Sequence, residues 1–162
     1  MINYDIVKED GIPLLQHLAD EIWHQHYPGI ISMEQIDFML KTLYSSDRIK
    51  EELNKGLYWA ILKYDDQPAG FISCEMEENQ TCKLHKIYIY PHLHGKGIGR
   101  KAIELAKEYA CLNGASKLKL FVNRGNKASI EAYKRLGFVC EKEVDQYLDK
   151  FLLNDYLMSM DL

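Results

Sequence analysis

The chain lacks any run of about 18 uncharged apolar residues, the length a membrane-crossing helix needs. Its first residues, MINYDIVKEDG, show no cationic flank leading into an apolar stretch, so no secretory leader is expected there. Cysteine is sparse. Cys74, Cys82, Cys111 and Cys140 form neither a CxxC pair nor a zinc-ligand rhythm, so buried thiols are expected rather than disulfides or a metal site. No repeat, low-complexity tract or linker divides the sequence. With 162 residues that are 47% hydrophobic, the expectation is one cytoplasmic domain over residues 1–162 with a full core.

The most informative absence is local. Between Asn79 and Ile103 there is no Asp or Glu, while Lys83, Lys86, Lys96, Arg100 and Lys101 fall inside, in a chain of net charge -4. His85, His92 and His94 lie there too. Such an island suits a small polyanion. A nucleic-acid surface needs a broad basic face, so neither nucleic acid nor membrane is an expected partner. At its centre, HLHGKGIGRK (92–101) joins the apolar run IYIYP to a segment of helical period. A strand that runs through glycines into a helix exposes several backbone N–H groups to an anion. Cations at that helix start oppose the helix dipole, a conflict that a bound anion relieves.

Hydrophobic periodicity predicts a strand at 2–8, a helix from Asp10 to His26, a second helix opened by a Ser32/Gln35 capping box, and a short third helix over Asp47–Asn54. LYWAILKY, FISCEME and CKLHKIYIYP then read as an antiparallel meander, with turns at Asp65-Asp66 and Glu78-Asn79. After the glycines comes an amphipathic helix, then the strand KLKLFVN, then a helix that Asn126 caps and Gly137 closes, with Ala128, Ala132, Tyr133 and Leu136 as its apolar stripe. FVCEKEVD and FLLNDYLMSMDL complete a mixed α/β (α+β) order, expected to form one mostly antiparallel, twisted sheet of about seven strands covered by helices. The acids of this last third, Asp155 among them, are expected on solvated faces.

A dinucleotide GxGxxG would need glycine where Arg100 stands, and no Walker GxxxxGK[ST] is present. What remains is (Q/R)xxGxG, here His94-Gly95-Lys96-Gly97-Ile98-Gly99, with NKASIEAYKRLGF (126–138) downstream. In these two motifs and in element order the chain resembles the GCN5-related N-acetyltransferases (GNAT). WHQHYPGIISMEQIDFML and FLLNDYLMSM are also similar to bacterial spermidine/spermine N-acetyltransferase-like members. His94 departs from the usual Gln or Arg.

The resemblance implies acetyl-CoA as cofactor and a small-molecule amine, such as a polyamine, as acceptor. It implies that the backbone of Ile87, Tyr88 and Ile89 pairs with the pantetheine arm, and that His94, Gly95, Lys96, Gly97, Ile98 and Gly99 hold the pyrophosphate. Arg100 would reach the 3′-phosphate region, Asn126 and Ser129 would line the cofactor's other side, and Tyr133 would protonate the leaving thiolate. An alkylammonium must shed a proton before attack. For that base the candidates are His85, which strict alternation places on the face of Ile87 and Ile89, and Glu75. Trp23, His24 and Tyr27, with acids such as Glu21, Glu75 and Glu77, are the candidate acceptor contacts. A non-catalytic acyl-CoA sensor, or acetylation of protein N-termini or aminoglycosides, stands beside this reading, and a homodimer is a candidate assembly.

Overall fold

A computed structural model describes residues 1–162. Strand β1 (Ile2–Ile6) leads through a short 3-10 turn into α1 (Ile12–His26), α2 (Met33–Leu43) and α3 (Ser46–Asn54). Next come β2 (Tyr58–Tyr64), β3 (Gln67–Glu77), β4 (Thr81–Ile89), α4 (Ile98–Leu112), β5 (Lys117–Asn123), α5 (Lys127–Arg135), β6 (Val139–Leu148) and β7 (Phe151–Asp161). One seven-stranded sheet results, in the order β1-β2-β3-β4-β5-β7-β6, parallel only between β4 and β5. It is the mixed α/β architecture expected. No helix is long and apolar enough to cross a membrane.

The local code accounts for most boundaries. Ser32 Oγ accepts the Gln35 N–H at 3.1 Å, as the capping pattern requires, and Ser45 caps α3 in the same way. Ser32→Ala is expected to cost about 1 kcal/mol of stability, readable as a lower urea midpoint at unchanged slope. The β2–β3 turn takes left-handed backbone at Asp65 and Asp66, so β3 begins at Gln67 and not at Phe71. In the next hairpin the left-handed pair is Asn79 and Gln80, one residue beyond the expected Glu78-Asn79.

Apolar residues cover the sheet on both faces. Ile98, Ala102, Ile103 and Ala106 of α4 pack with Leu84, Leu118, Phe138 and Met158 on one side. On the other, Leu15, Leu18, Ile22 and Trp23 of α1 pack with Ile36, Ile49, Trp59 and Phe71.

Two irregularities shape the centre of the sheet. The β3–β4 register shifts so that Ser73 faces Lys86 while Cys74 faces Leu84, leaving His85 as an extra residue on β4. Side-chain alternation therefore restarts. Leu84, Ile87 and Ile89 all belong to the α4 side, whereas Tyr88 packs on the α1 side and the Lys86 ammonium lies over the Tyr44 and Trp59 rings. Beyond this point β4 and β5 separate: their pairing ends at Lys83↔Lys119. From His85 to Ile89, β4 has a strand partner on one edge only, while β5 stays paired with β7 as far as Asn123.

Candidate active site

A cavity of about 720 Å³ opens where β4 and β5 part. One end is built from Ile87, Tyr88, Ile89, Leu93, His94, Gly95 and Gly99, faced by Asn126, Ser129, Tyr133 and Leu136. Gly95 and Gly97 have φ of 82° and 85°, a left-handed backbone that a side chain would strain. Gly97 precedes α4 with no side-chain cap, so the first N–H groups of that helix have no partner there. An unpaired strand edge leading to uncapped helix N–H groups fits a ligand with an extended amide-bearing arm and a diphosphate.

The expected cofactor residues divide. Ile87–Ile89, His94, Gly95, Gly99, Asn126, Ser129 and Tyr133 line the cavity; Lys96, Gly97, Ile98 and Arg100 do not. Ile98 is sunk in the core, which leaves its backbone as the only group it can offer. Lys96 reaches back over the Tyr64 ring. His94 Nε2 donates to the Ile89 carbonyl at 3.0 Å, tying the glycine loop to the strand and leaving Nδ1 free.

α5 corrects one reading. Asn126 precedes the helix but makes no capping hydrogen bond; its buried carboxamide stands beside His26 instead. The stripe Ala128, Ala132, Tyr133 and Leu136 is a cavity wall, while Ile130 is the residue of α5 that is buried in the core. A ligand wall and a core face carry the same apolar signature, so periodicity cannot separate them. Tyr133 packs edge-on against Phe138 at 5.8 Å, and its hydroxyl has no protein partner. Burial raises its pKa, so the proton is held throughout the neutral range.

The rest of the cavity wall is formed by Trp23, His26, Tyr27, Gln35, Met39, Arg48, Lys83, His85, Lys86, Phe121, Asn123 and Asp155, among others. His24 is absent from it: the ring turns outward to the Asp20 carbonyl and the Asp37 carboxylate, and His26 takes the inward place. Trp23, 2% exposed, and Tyr27, with ring centroids 4.6 Å apart, belong to an aromatic cluster with Tyr44 and Tyr88, and Tyr27 Oη is 2.9 Å from Tyr88 Oη. The expected acids are engaged elsewhere. Glu21 accepts from Tyr90, and Glu77 pairs with Lys119 at 2.6 Å. Asp155, expected in solvent, stands in the cavity wall with its carboxyl pKa raised by burial.

His85 corrects the strict-alternation reading, because the bulge turns it away from the face of Ile87 and Ile89. Its Nε2 is 2.8 Å from Glu75 Oε1. Since a carboxylate only accepts, the proton sits on Nε2, and Nδ1 keeps its lone pair. Glu75 lines a small polar pocket with Arg48, Glu51, Glu52 and Lys55, and His85 lies on both this pocket and the large cavity. Burial, then the Lys83 charge, lowers the His85 pKa to about 4. Its folded pKa lies below the ordinary 6.5, so between those values the unfolded chain binds a proton that the folded chain refuses. Stability is therefore expected to fall as pH drops through that window, and His85→Gln to flatten the loss, read from urea midpoints at about pH 7 and about pH 5.

Lys86, 7% exposed, is the most buried cation of the site, with Glu52 at 3.9 Å as its counter-charge. Burial lowers its pKa to about 8. Lys83 and Lys86, part of the basic island in sequence, thus stand at the far end of the cavity from the glycine loop.

The profile of the Acetyltransferase (GNAT) family matches residues 15–138. A spermidine N(1)-acetyltransferase of Thermoplasma acidophilum is 26% identical over 137 residues, covering 82% of this chain and 84% of that protein. An uncharacterized N-acetyltransferase of Methanocaldococcus jannaschii is 38% identical over 90 residues, and the match spans only 39% of its length. Among solved structures, the PaiA N-acetyltransferase of T. acidophilum in complex with coenzyme A superposes with a TM-score of 0.86 at 22% identity, over 100% of this chain and 99% of that one. With the family match spanning the splayed strands, the glycine loop and α5 through Phe138, the chain belongs to the acetyltransferase (GNAT) family of acetyl-CoA-dependent acyltransferases.

Proposed function

We propose that this protein transfers the acetyl group of acetyl-CoA directly to a small primary amine, with both substrates held in the one cavity. The observation that carries this reading is the continuity of that cavity, which runs from the glycine loop past the Tyr133 hydroxyl to a wall of polar and aromatic side chains. A coenzyme A complex of a protein with this fold, and spermidine acetylation by a relative that covers most of the chain, support it.

The cofactor, when bound, supplies an acyl group activated as a thioester. The chain's own contributions follow from position. The open edge of β4 and the N–H groups at the start of α4 would hold the pantetheine and diphosphate. Tyr133 carries the proton that the departing sulfur needs, since burial keeps its Oη protonated. His85 is neutral at pH 7 and its Nδ1 lone pair can accept the proton an ammonium must lose; the Nε2 bond to Glu75 partly offsets the burial and the Lys83 charge that disfavour the imidazolium. Glu75, on the second pocket, gives that charge a route toward solvent.

Released CoA, measured as free thiol with polyamines, amino acids, short peptides and aminoglycosides as acceptors, tests the proposal. Acetylation of at least one amine is expected; CoA binding without turnover of any would assign the fold to a sensor instead.

A further inference from the structure

Two half-buried charged side chains in the cavity wall have no ion-pair partner. Lys83 lines the cavity half-buried with its ammonium 5.0 Å from the Phe121 ring centre, and it forms no salt bridge, because the neighbouring carboxylate Glu77 is taken by Lys119 at 2.6 Å. Asp155 lines the same cavity; its backbone carbonyl accepts from Arg124, whose guanidinium pairs with Asp145 at 2.7 Å, so the Asp155 carboxylate stays unpaired. Burial works against both charges, lowering the Lys83 pKa and raising that of Asp155. Each feels the other's charge without reaching ion-pair distance, so both stay partly uncompensated until a ligand brings a closer counter-charge to each.

The rest of the charged wall has the sign of Lys83. Arg48 and Lys86 also line this end and share the single carboxylate Glu52, at 3.8 and 3.9 Å, on the side away from the cavity lining. Asp155 is the one carboxylate on the lining itself. A polyamine, all of whose charges are positive, would satisfy Asp155 and then meet like charge at Lys83.

On the basis of the acetyl transfer proposed above, we propose that the acceptor is zwitterionic: an amine carrying its own carboxylate, as a free amino acid does, with Lys83 the residue that selects for the carboxylate. Asp155 receives the ammonium, and Lys83, backed by Arg48, receives the carboxylate.

Matched acceptors isolate the point: L-lysine against cadaverine, L-ornithine against putrescine, and L-leucine against isoamylamine, with spermidine alongside. By kcat/KM from CoA release, the carboxylate-bearing member of at least one pair is expected to win by about tenfold or more, the worth of one charged hydrogen bond. Lys83→Gln should bring that ratio near one, and Lys83→Glu should reverse it, while CoA affinity, reporting an intact fold, stays within about twofold. Preference for the carboxylate-free member in every pair, or a ratio untouched in Lys83→Gln, overturns the proposal and leaves acetyl transfer standing. No CoA release from any acceptor overturns both.

Discussion

Tyr133→Phe is expected to lower kcat by about a hundredfold to a thousandfold while CoA affinity changes by no more than about twofold. The split follows from where the hydroxyl lies. It bonds to no protein group, so its removal breaks nothing inside the fold, and the ring keeps its contact with Phe138. Its loss removes only a proton at the cavity, an effect confined to the transition state. The measurement is paired: steady-state acetyl transfer, and CoA binding by calorimetry. A loss of affinity matching the loss of rate would make Tyr133 a binding wall, and a fall in melting temperature would make it a core tyrosine.

Gly70→Ala is expected to be among the most damaging single substitutions in the chain. Gly70 pairs with Ile89, and a Cβ built on it would stand 2.1 Å from the Tyr88 carbonyl oxygen and 2.9 Å from the Ile89 Cα. Both obstructions are backbone, so no rotamer change relieves them. β3 and β4 must separate at the strand segment that carries the open edge. A loss of about 2–4 kcal/mol is expected, seen as a melting temperature lower by roughly 5–15 °C, with weakened CoA binding in whatever remains folded. By contrast, a Cβ on Gly95 or Gly97 meets nothing within contact distance. Substitutions there should strain the loop through φ alone, costing about 1–2 kcal/mol and acting mainly on CoA affinity.

Much of this was legible in the sequence because it is local chemistry. Ser32 caps α2 through its own side chain, Gly95 and Gly97 permit backbone that other residues resist, the continuous apolar run in LYWAILKY marks a strand covered on both faces, and the alternation in KLKLFVN marks a strand. The motif pair HGKGIG and NKASIEAYKRLGF supplies residues to two facing walls of the cavity, because each contributes through backbone or through its own helix face.

The rest of the cavity was legible only in part, for reasons of geometry at a distance. Whether His24 or His26 faces inward depends on how α1 seats against the sheet, and His24 finds Asp37 on a different helix. Asp155 resembles its exposed neighbours in sequence, yet pairing with Asn123 on β5 carries it to the mouth of the splay.

Sequence alone therefore determined the element order, the glycine loop at the head of α4 and the chemistry class that follows from it, since these rest on residues adjacent along the chain. The tertiary structure decided the rest through one extra residue on β4. That bulge at His85 changes which side chains share a face, and beside it β4 parts from β5, so that Lys83, His85, Lys86 and, through the β5–β7 pairing, Asp155 line one cavity. Register between strands is a property of pairing, and no single strand's sequence contains it.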